Sequence, residues 1–283
     1  MTRVFDPEAL AAFDALYPEQ PGLVPHGLAS HALLTPEALV ALSRRMRPVD
    51  VEYNLGNLPV GLDPTLTPAN GLTPEETIRS IADNGSWMVL KFIEQDPAYR
   101  ALLHDLLGEL DPVVGPRTGA MLKREGFIFL SSPGATTPFH FDPEHNILLQ
   151  IAGTKCMTVF PAGDPAFAPG SEHERFHGGG HRNLPWRDEL AAAGCPFDLV
   201  PGRAVYVPVK APHWVRNGPE VSISLSITWR SEWSYHEEYA HGFNRLLRRA
   251  GLAPAMPCRF PEQNRLKSIG YRAARRLGLG GVR

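Results

Sequence analysis

With 283 residues, 43% of them hydrophobic and 20% charged, the chain has the length for one large domain and the balance of an ordinary globular protein. Its formal charge of −2 excludes an overall electrostatic pull toward nucleic acid or an anionic membrane. Three widely spaced cysteines, Cys156, Cys195 and Cys258, argue against a disulfide framework or a cysteine-type zinc site and point to a reducing compartment.

The opening MTRVFDPEAL has no apolar signal core. No run approaches the roughly 18 apolar residues of a membrane span, so a cytoplasmic protein without a membrane partner is expected. The first third reads as helices. DPEALAAFDALYP begins with an Asp cap and a proline at the first helical position, and TPEALVALSRRM and TPEETIRSIADNG repeat that signal with Thr-Pro-Glu. DPAYRALLHDLLGELDPVV carries an apolar stripe through Tyr99, Leu102, Leu103, Leu106 and Leu110. Residues 1–118 are therefore expected to form a helical region packed on a core.

From Met121 the texture changes. GFIFLSS, NILLQIAG, KCMTVFPAG, RAVYVPV and VSISLSITW are short, β-rich and bounded by Gly, Pro or Asn. They predict a β-barrel core over 119–230, so the fold class is mainly β with flanking helices. A long polar insert spans 162–199, and a mobile flap is the expected use of such a loop. It holds His173, His177 and His181, whose spacing would suit a helical metal site, but HGGGH is a poor helix and a second metal is not expected there. After Trp229 the helical period returns over 231–283, with Tyr235, Tyr239, Phe243, Leu246 and Leu247 on one face. That face needs either this chain's own barrel or a second chain to cover it. The basic tail QNRLKSIGYRAARRLGLGGVR reads as a solvated helix or frayed end, and its thin aromatic content argues against nucleic-acid binding.

The chemistry concentrates in TTPFHFDPEHNILLQIAGTK. His140 and Asp142, two apart in a strand-like run, point to one face. A buried carboxylate beside a buried imidazole is costly unless paired or bound to a cation. An ordinary hydrogen-bonded pair would satisfy that; so would a metal, if a third ligand arrived from a strand distant in sequence. PVKAPHWVRNG offers His213. Two histidines and a carboxylate on one face leave positions open, as in the triad of non-haem Fe(II) oxygenases. The last strand alternates strictly: Val221, Ile223, Leu225, Ile227 and Trp229 on one side, Ser222, Ser224, Ser226 and Thr228 on the other. A Ser/Thr face makes poor core but a good wall for a polar ligand.

His140-Phe-Asp142, Asn146, QIAGTK, CMTVFP, PGRAVYVP and APHWVRN follow one another in an order that resembles the JmjC branch of the cupin-like Fe(II)- and 2-oxoglutarate-dependent oxygenases, protein-hydroxylase type. The resemblance covers 121–230 and implies a double-stranded β-helix, or jelly roll. It implies Fe(II) on His140, Asp142 and His213, and Lys155 on the distal carboxylate of 2-oxoglutarate. Thr137 and Asn146 would line the cosubstrate pocket, and Thr228 would stand in for an Asn that some relatives carry nearby. The implied activity couples decarboxylation of 2-oxoglutarate by O₂ to hydroxylation of a protein side chain or small molecule. Demethylation is the less favoured outcome, because nothing resembles a chromatin-reader or zinc-finger domain. Related hydroxylases dimerise through C-terminal helices, so the resemblance also implies a homodimer. Two other readings remain open: a non-catalytic metal- or ligand-binding cupin acting as sensor or regulator, and a zinc-dependent hydrolase or isomerase in the same barrel.

Overall fold

The structure, a computed structural model, describes residues 3–56, 59–61 and 66–279. Its first helices start where the sequence signals them. Asp6, Thr35, Thr73 and Asp96 each accept a hydrogen bond from a backbone N–H two or three residues on, and a proline follows each cap. One orphaned donor is thereby satisfied at each start. The caps open α1 (Pro7–Leu16), α2 (Pro36–Ser43), α3 (Pro74–Arg79) and α4 (Pro97–Thr118).

The helical reading of residues 1–118 omits three strands: β1 (Gly22–Pro25), β2 (Val51–Leu55) and β3 (Ser86–Lys91). Each is too short to show a period of its own, and pairing with the sheet decides its conformation. The remaining strands are β4 (Leu122–Ser131), β5 (Thr136–His140), β6 (His145–Ala152), β7 (Lys155–Val159), β8 (Cys195–Leu199), β9 (Arg203–Val207), β10 (His213–Asn217) and β11 (Ser222–Arg230). They form two antiparallel sheets: seven strands in the order β1-β9-β6-β11-β4-β3-β2, and four in the order β5-β10-β7-β8. This is the expected jelly roll, with its larger sheet widened by the N-terminal strands.

Leu148, Val205 and Val207 of the larger sheet meet Met157, Val159, Leu199 and Val215 of the smaller one in the barrel interior. The outer face of the larger sheet packs on the N-terminal helices, where Ile223, Leu225, Ile227 and Trp229 join Phe13, Leu103 and Leu106. Strand β11 is therefore buried on both sides, and its alternation separates two environments. Ser224 lies opposite Gln150, Ser226 opposite Leu148 and Thr228 opposite Asn146, which turns the hydroxyl face into the barrel.

The insert is more structured than a flap. It contains α5 (Gly170–Phe176) and runs into β8 at the edge of the smaller sheet. Phe141 N donates to Arg182 O at 3.4 Å and Leu184 N to Phe139 O at 2.8 Å, stitching residues 182–184 alongside the end of β5. Phe167, Leu184 and Leu190 bury themselves against Phe139, Phe141 and Phe160.

At the C-terminal end, α6 (Glu232–Arg249) and α7 (Arg265–Arg276) pack together. The side of α6 turned inward is largely polar, with Glu237, His241 and Asn244 among its buried residues. The apolar face expected to need a partner, Tyr235 through Leu247, is half-buried. Part of it is met by α7: Tyr239 lies 6.1 Å from Tyr271 between ring centroids, and Phe243 closes on Gly270. Part of the apolar motive for a homodimer through α6 is thus answered within the chain. No described helix is long and apolar enough to cross a membrane.

Candidate metal centre

Strands β5 and β10 are neighbours, and His140 stands opposite His213 in their register. Asp142 lies just beyond the end of β5, in the turn before β6, where Lys210 N donates to its carbonyl at 2.7 Å. One ligand atom each from His140, Asp142 and His213 lies within 4.8 Å of the others, the only such group among the described residues. The two imidazole centroids are 4.2 Å apart.

Both imidazoles are oriented by the same local device. His140 Nδ1 bonds to Pro138 O at 2.7 Å, and His213 Nδ1 to Ala211 O at 2.9 Å. A carbonyl only accepts, so each Nδ1 carries the proton, and Nε2 is left for a metal. Burial, and then the neighbouring His213, push His140 down to about 3, so it is uncharged at neutral pH. Burial by itself would raise the Asp142 carboxyl, but Arg182 and the two imidazoles outweigh it and hold it below the usual carboxylate range. The donor set is therefore ready for a divalent metal, with no carboxyl proton to displace.

The two oxygens of Asp142 have different neighbours. Oδ1 is paired with the Arg182 guanidinium, carried in by the insert. Oδ2 is 3.7 Å from His213 Nε2 and accepts from Asn146 Nδ2 at 3.3 Å, while Asn146 Oδ1 accepts from Ser226 Oγ at 2.8 Å. Asn146, expected in the cosubstrate pocket, thus also orients a candidate ligand.

Lys155 opens β7 on the side of Met157 and Val159, which line the interior, opposite Asn217 on one neighbouring strand and Leu199 on the other. It is only 6% exposed, and among the described residues no carboxylate pairs with it. Burial alone drives its ammonium from 10.5 down to about 7. The QIAGTK turn delivers it there: Gly153 has φ 65°, and a Cβ at that position would meet Val221 O at 2.2 Å. Thr137, half-buried on β5 opposite Val215, lies between the triad and the Lys155 end of the barrel. Thr228 Oγ1 donates to Glu125 O at 3.2 Å, which commits its proton to the backbone. Ser222 and Ser224 are tied to Gln150 at 2.9 and 2.6 Å.

Arg182 and Asn217 were not singled out in the sequence. Asn217 shares the face of His213 at i+4 on a strand, so alternation alone could have found it; its Oδ1 is buried without a hydrogen-bond partner. Arg182 gave no local signal, because only the stitching of the insert to β5 aims it at Asp142. The insert histidines separate: His181 is exposed, whereas His173 and His177 are gathered with His241 of α6, at ring separations of 4.6 and 6.0 Å. His145 faces the outer side of β6, bonded at 3.0 Å to both Tyr206 and Ser231.

No family model matches the chain. It is 31% identical over 107 residues to lysine-specific demethylase JMJ30 of Arabidopsis thaliana, taking in 35% of this chain and 24% of that protein, so it spans about a quarter of the curated relative it matches. Among solved structures it is similar to YcfD of E. coli, with a TM-score of 0.51 at 17% identity over 95% of this chain and 67% of that one. It is likewise similar to YcfD described as a ribosomal oxygenase from Escherichia coli in complex with cobalt and 2-oxoglutarate, with a TM-score of 0.50 at 14% identity over 98% and 68% of the two chains. The likeness covers the flanking helices as well as the barrel, and the fold is that of the JmjC-type, cupin-like oxygenases.

Proposed function

We propose that the chain is an Fe(II)- and 2-oxoglutarate-dependent oxygenase that hydroxylates a protein side chain or a small molecule, in a cytoplasmic setting. One observation carries the reading. Two imidazoles with Nε2 free and a carboxylate converge at one end of a barrel whose interior also holds a buried, unpaired lysine. His140, Asp142 and His213 would hold the iron, with Asn146 and Arg182 keeping the carboxylate in place. Lys155 would take the far carboxylate of 2-oxoglutarate. It sits four residues along the strand pair from the His213 level, about 13 Å, a distance that a lysine side chain and a five-carbon diacid span together. When bound, iron and 2-oxoglutarate supply the oxidising power for substrate hydroxylation. YcfD, named a ribosomal oxygenase and seen with cobalt and 2-oxoglutarate, favours hydroxylation, whereas JMJ30 is named a demethylase.

The test is succinate release from 2-oxoglutarate by the Fe(II)-loaded chain across a panel of peptides and metabolites. Release that depends on Fe(II) and rises with one member is the expected result. No 2-oxoglutarate consumption with or without substrate would overturn the reading.

Lys155 gives a prediction with a defined pH sign. Its folded value of about 7 lies below its ordinary 10.5, so between these pH values the unfolded chain holds a proton that the folded chain lacks. Ligand-free stability of the wild type, measured relative to Lys155→Met, should then rise with pH across that window by up to about 1.4 kcal/mol per unit. A dicarboxylate beside Lys155 restores its charge. 2-Oxoglutarate binding at pH 8 should therefore take up a proton, read calorimetrically in buffers of different ionisation enthalpy, and Lys155→Met should abolish the uptake. An unchanged 2-oxoglutarate affinity in Lys155→Met would move the cosubstrate site elsewhere; the expected loss is roughly one to two decades.

A further inference from the structure

Helix α7 has two faces that bury or could bury apolar side chains, and the chain uses one. Ser268 and Tyr271 are buried against α6, where a Cβ added to Gly242 would meet the Tyr271 ring at 2.4 Å. This close approach holds the helix as a fixed platform. On the opposite side Leu266 is 86% exposed, Ile269 62% and Leu277, just past the helix end, 76%. With exposed Ala273 they fall at i, i+3, i+7 and i+11, a continuous stripe along one side of a helix. Arg265, Arg272 and Arg276 run beside the stripe, all exposed, and no acidic residue occurs from Arg265 to Arg276. Among the described residues none of the three has a side-chain partner.

We propose that this face docks the protein on an anionic membrane surface, with the aliphatic stripe entering the headgroup layer and the arginine row lying on acidic headgroups. A helix with a cationic flank and an aliphatic stripe suits that boundary, where one side is apolar and the other negatively charged. Charge complementarity selects this occupant over the others. A second copy packed on the stripe about a two-fold axis would set arginine row near arginine row with no acid on either helix to separate them. Nucleic acid would answer the arginines but not the leucine and isoleucine between them, and the one aromatic ring of the helix, Tyr271, is buried. The chain's overall charge of −2 conceals the patch because acids elsewhere cancel it. The contact is peripheral, in keeping with the absence of a described membrane-spanning helix.

The experiment is co-sedimentation of the full chain with vesicles of phosphatidylcholine alone and with about 30% phosphatidylserine added. It requires neither iron nor 2-oxoglutarate, so its outcome is independent of the oxygenase reading. Binding to the anionic vesicles should be about a hundredfold the stronger, if three arginines contribute about one headgroup contact each, and should fall with added salt. Arg272→Glu with Arg276→Glu should remove the preference, and Leu266→Glu with Ile269→Glu should remove binding. All four positions are exposed, and an unchanged melting temperature confirms that the variants fold. Equal binding to both vesicle types, or to neither, overturns the proposal. So does a concentration-dependent dimer that Leu266→Glu breaks, or retention on RNA without vesicle binding; these assign the face to a second copy or to nucleic acid.

Discussion

Replacing Asp142 with alanine should abolish Fe(II) binding at the candidate centre and with it 2-oxoglutarate turnover, while leaving the fold in place. The backbone contact that Asp142 makes to Lys210 N survives the substitution, because it uses the carbonyl. Arg182 loses its carboxylate, but its side chain is 49% exposed and water can take over. Melting temperature should therefore move little. His213→Ala should match it in metal binding, since removal of any member leaves two ligands. Asn146→Ala supplies the graded comparison: it removes a partner of Asp142 Oδ2, not a ligand, and should weaken the metal by roughly 10–100-fold, short of the loss from Asp142→Ala. Cobalt(II) titration followed by visible absorption reads all three variants without any assay of turnover. Wild-type affinity in Asp142→Ala would remove the triad assignment.

Glu237→Ala should have the largest effect on stability. Glu237 is 3% exposed and sits 3.0 Å from Lys210 Nζ, 3.1 Å from Arg259 Nη1 and 3.8 Å from His241 Nε2. Lys210 is itself 1% exposed, and its ammonium is brought down to about 8 chiefly by burial, against the pull of Glu237. Removing the carboxylate leaves that ammonium buried without its counter-charge, which costs about 3–5 kcal/mol, read by urea unfolding. The double substitution Glu237→Leu with Lys210→Met should recover most of the loss, because no ammonium is then left buried unpaired and Arg259 keeps its pair with Glu19 at 3.0 Å. Burial by itself would raise the Glu237 carboxyl, but Lys210, His241 and Arg259 hold it well below the ordinary value. Its contribution is therefore fully present above the usual carboxylate range and is lost as pH falls from that range through the lower folded value, so wild type and Glu237→Ala should converge only in strong acid. The pair also bears on the metal. Lys210, at φ 57°, holds the Asp142 carbonyl and lies three residues before His213, so Glu237→Ala should also loosen metal binding. A change under about 1 kcal/mol would show that the pair contributes no more than an exposed one.

Much of the candidate site was legible in the sequence because its signals are local. Strand alternation placed the Ser/Thr face of β11 inside the barrel and Ile223, Leu225 and Ile227 outside it. The cap-proline starts located α1 to α3, since a cap and the N–H it satisfies lie within three residues, and the apolar stripe located α4. The short β-rich runs from Met121, with the ordered motifs from His140-Phe-Asp142 to APHWVRN, carried the resemblance that implied the jelly roll. Even so, spacing could not show that Asp142 leaves the strand, because β5 ends at His140.

What the tertiary structure decided are pairings between residues far apart, which carry no period. Arg182 comes to Asp142 only because the insert pairs with β5. His241 joins His173 and His177, and Glu237 meets Lys210, only because α6 packs against the insert and the loop before β10. Strands β1, β2 and β3 exist because the sheet edges accept them, since runs of four to six residues do not specify their own conformation. The same holds for the C-terminal helices. The sequence alone determined that α6 carries an apolar face, because period is intrinsic to the chain, but it showed α7 only as a basic solvated helix or frayed end; which faces of the two stay exposed was settled by what packs beside them, because burial is a property of neighbours.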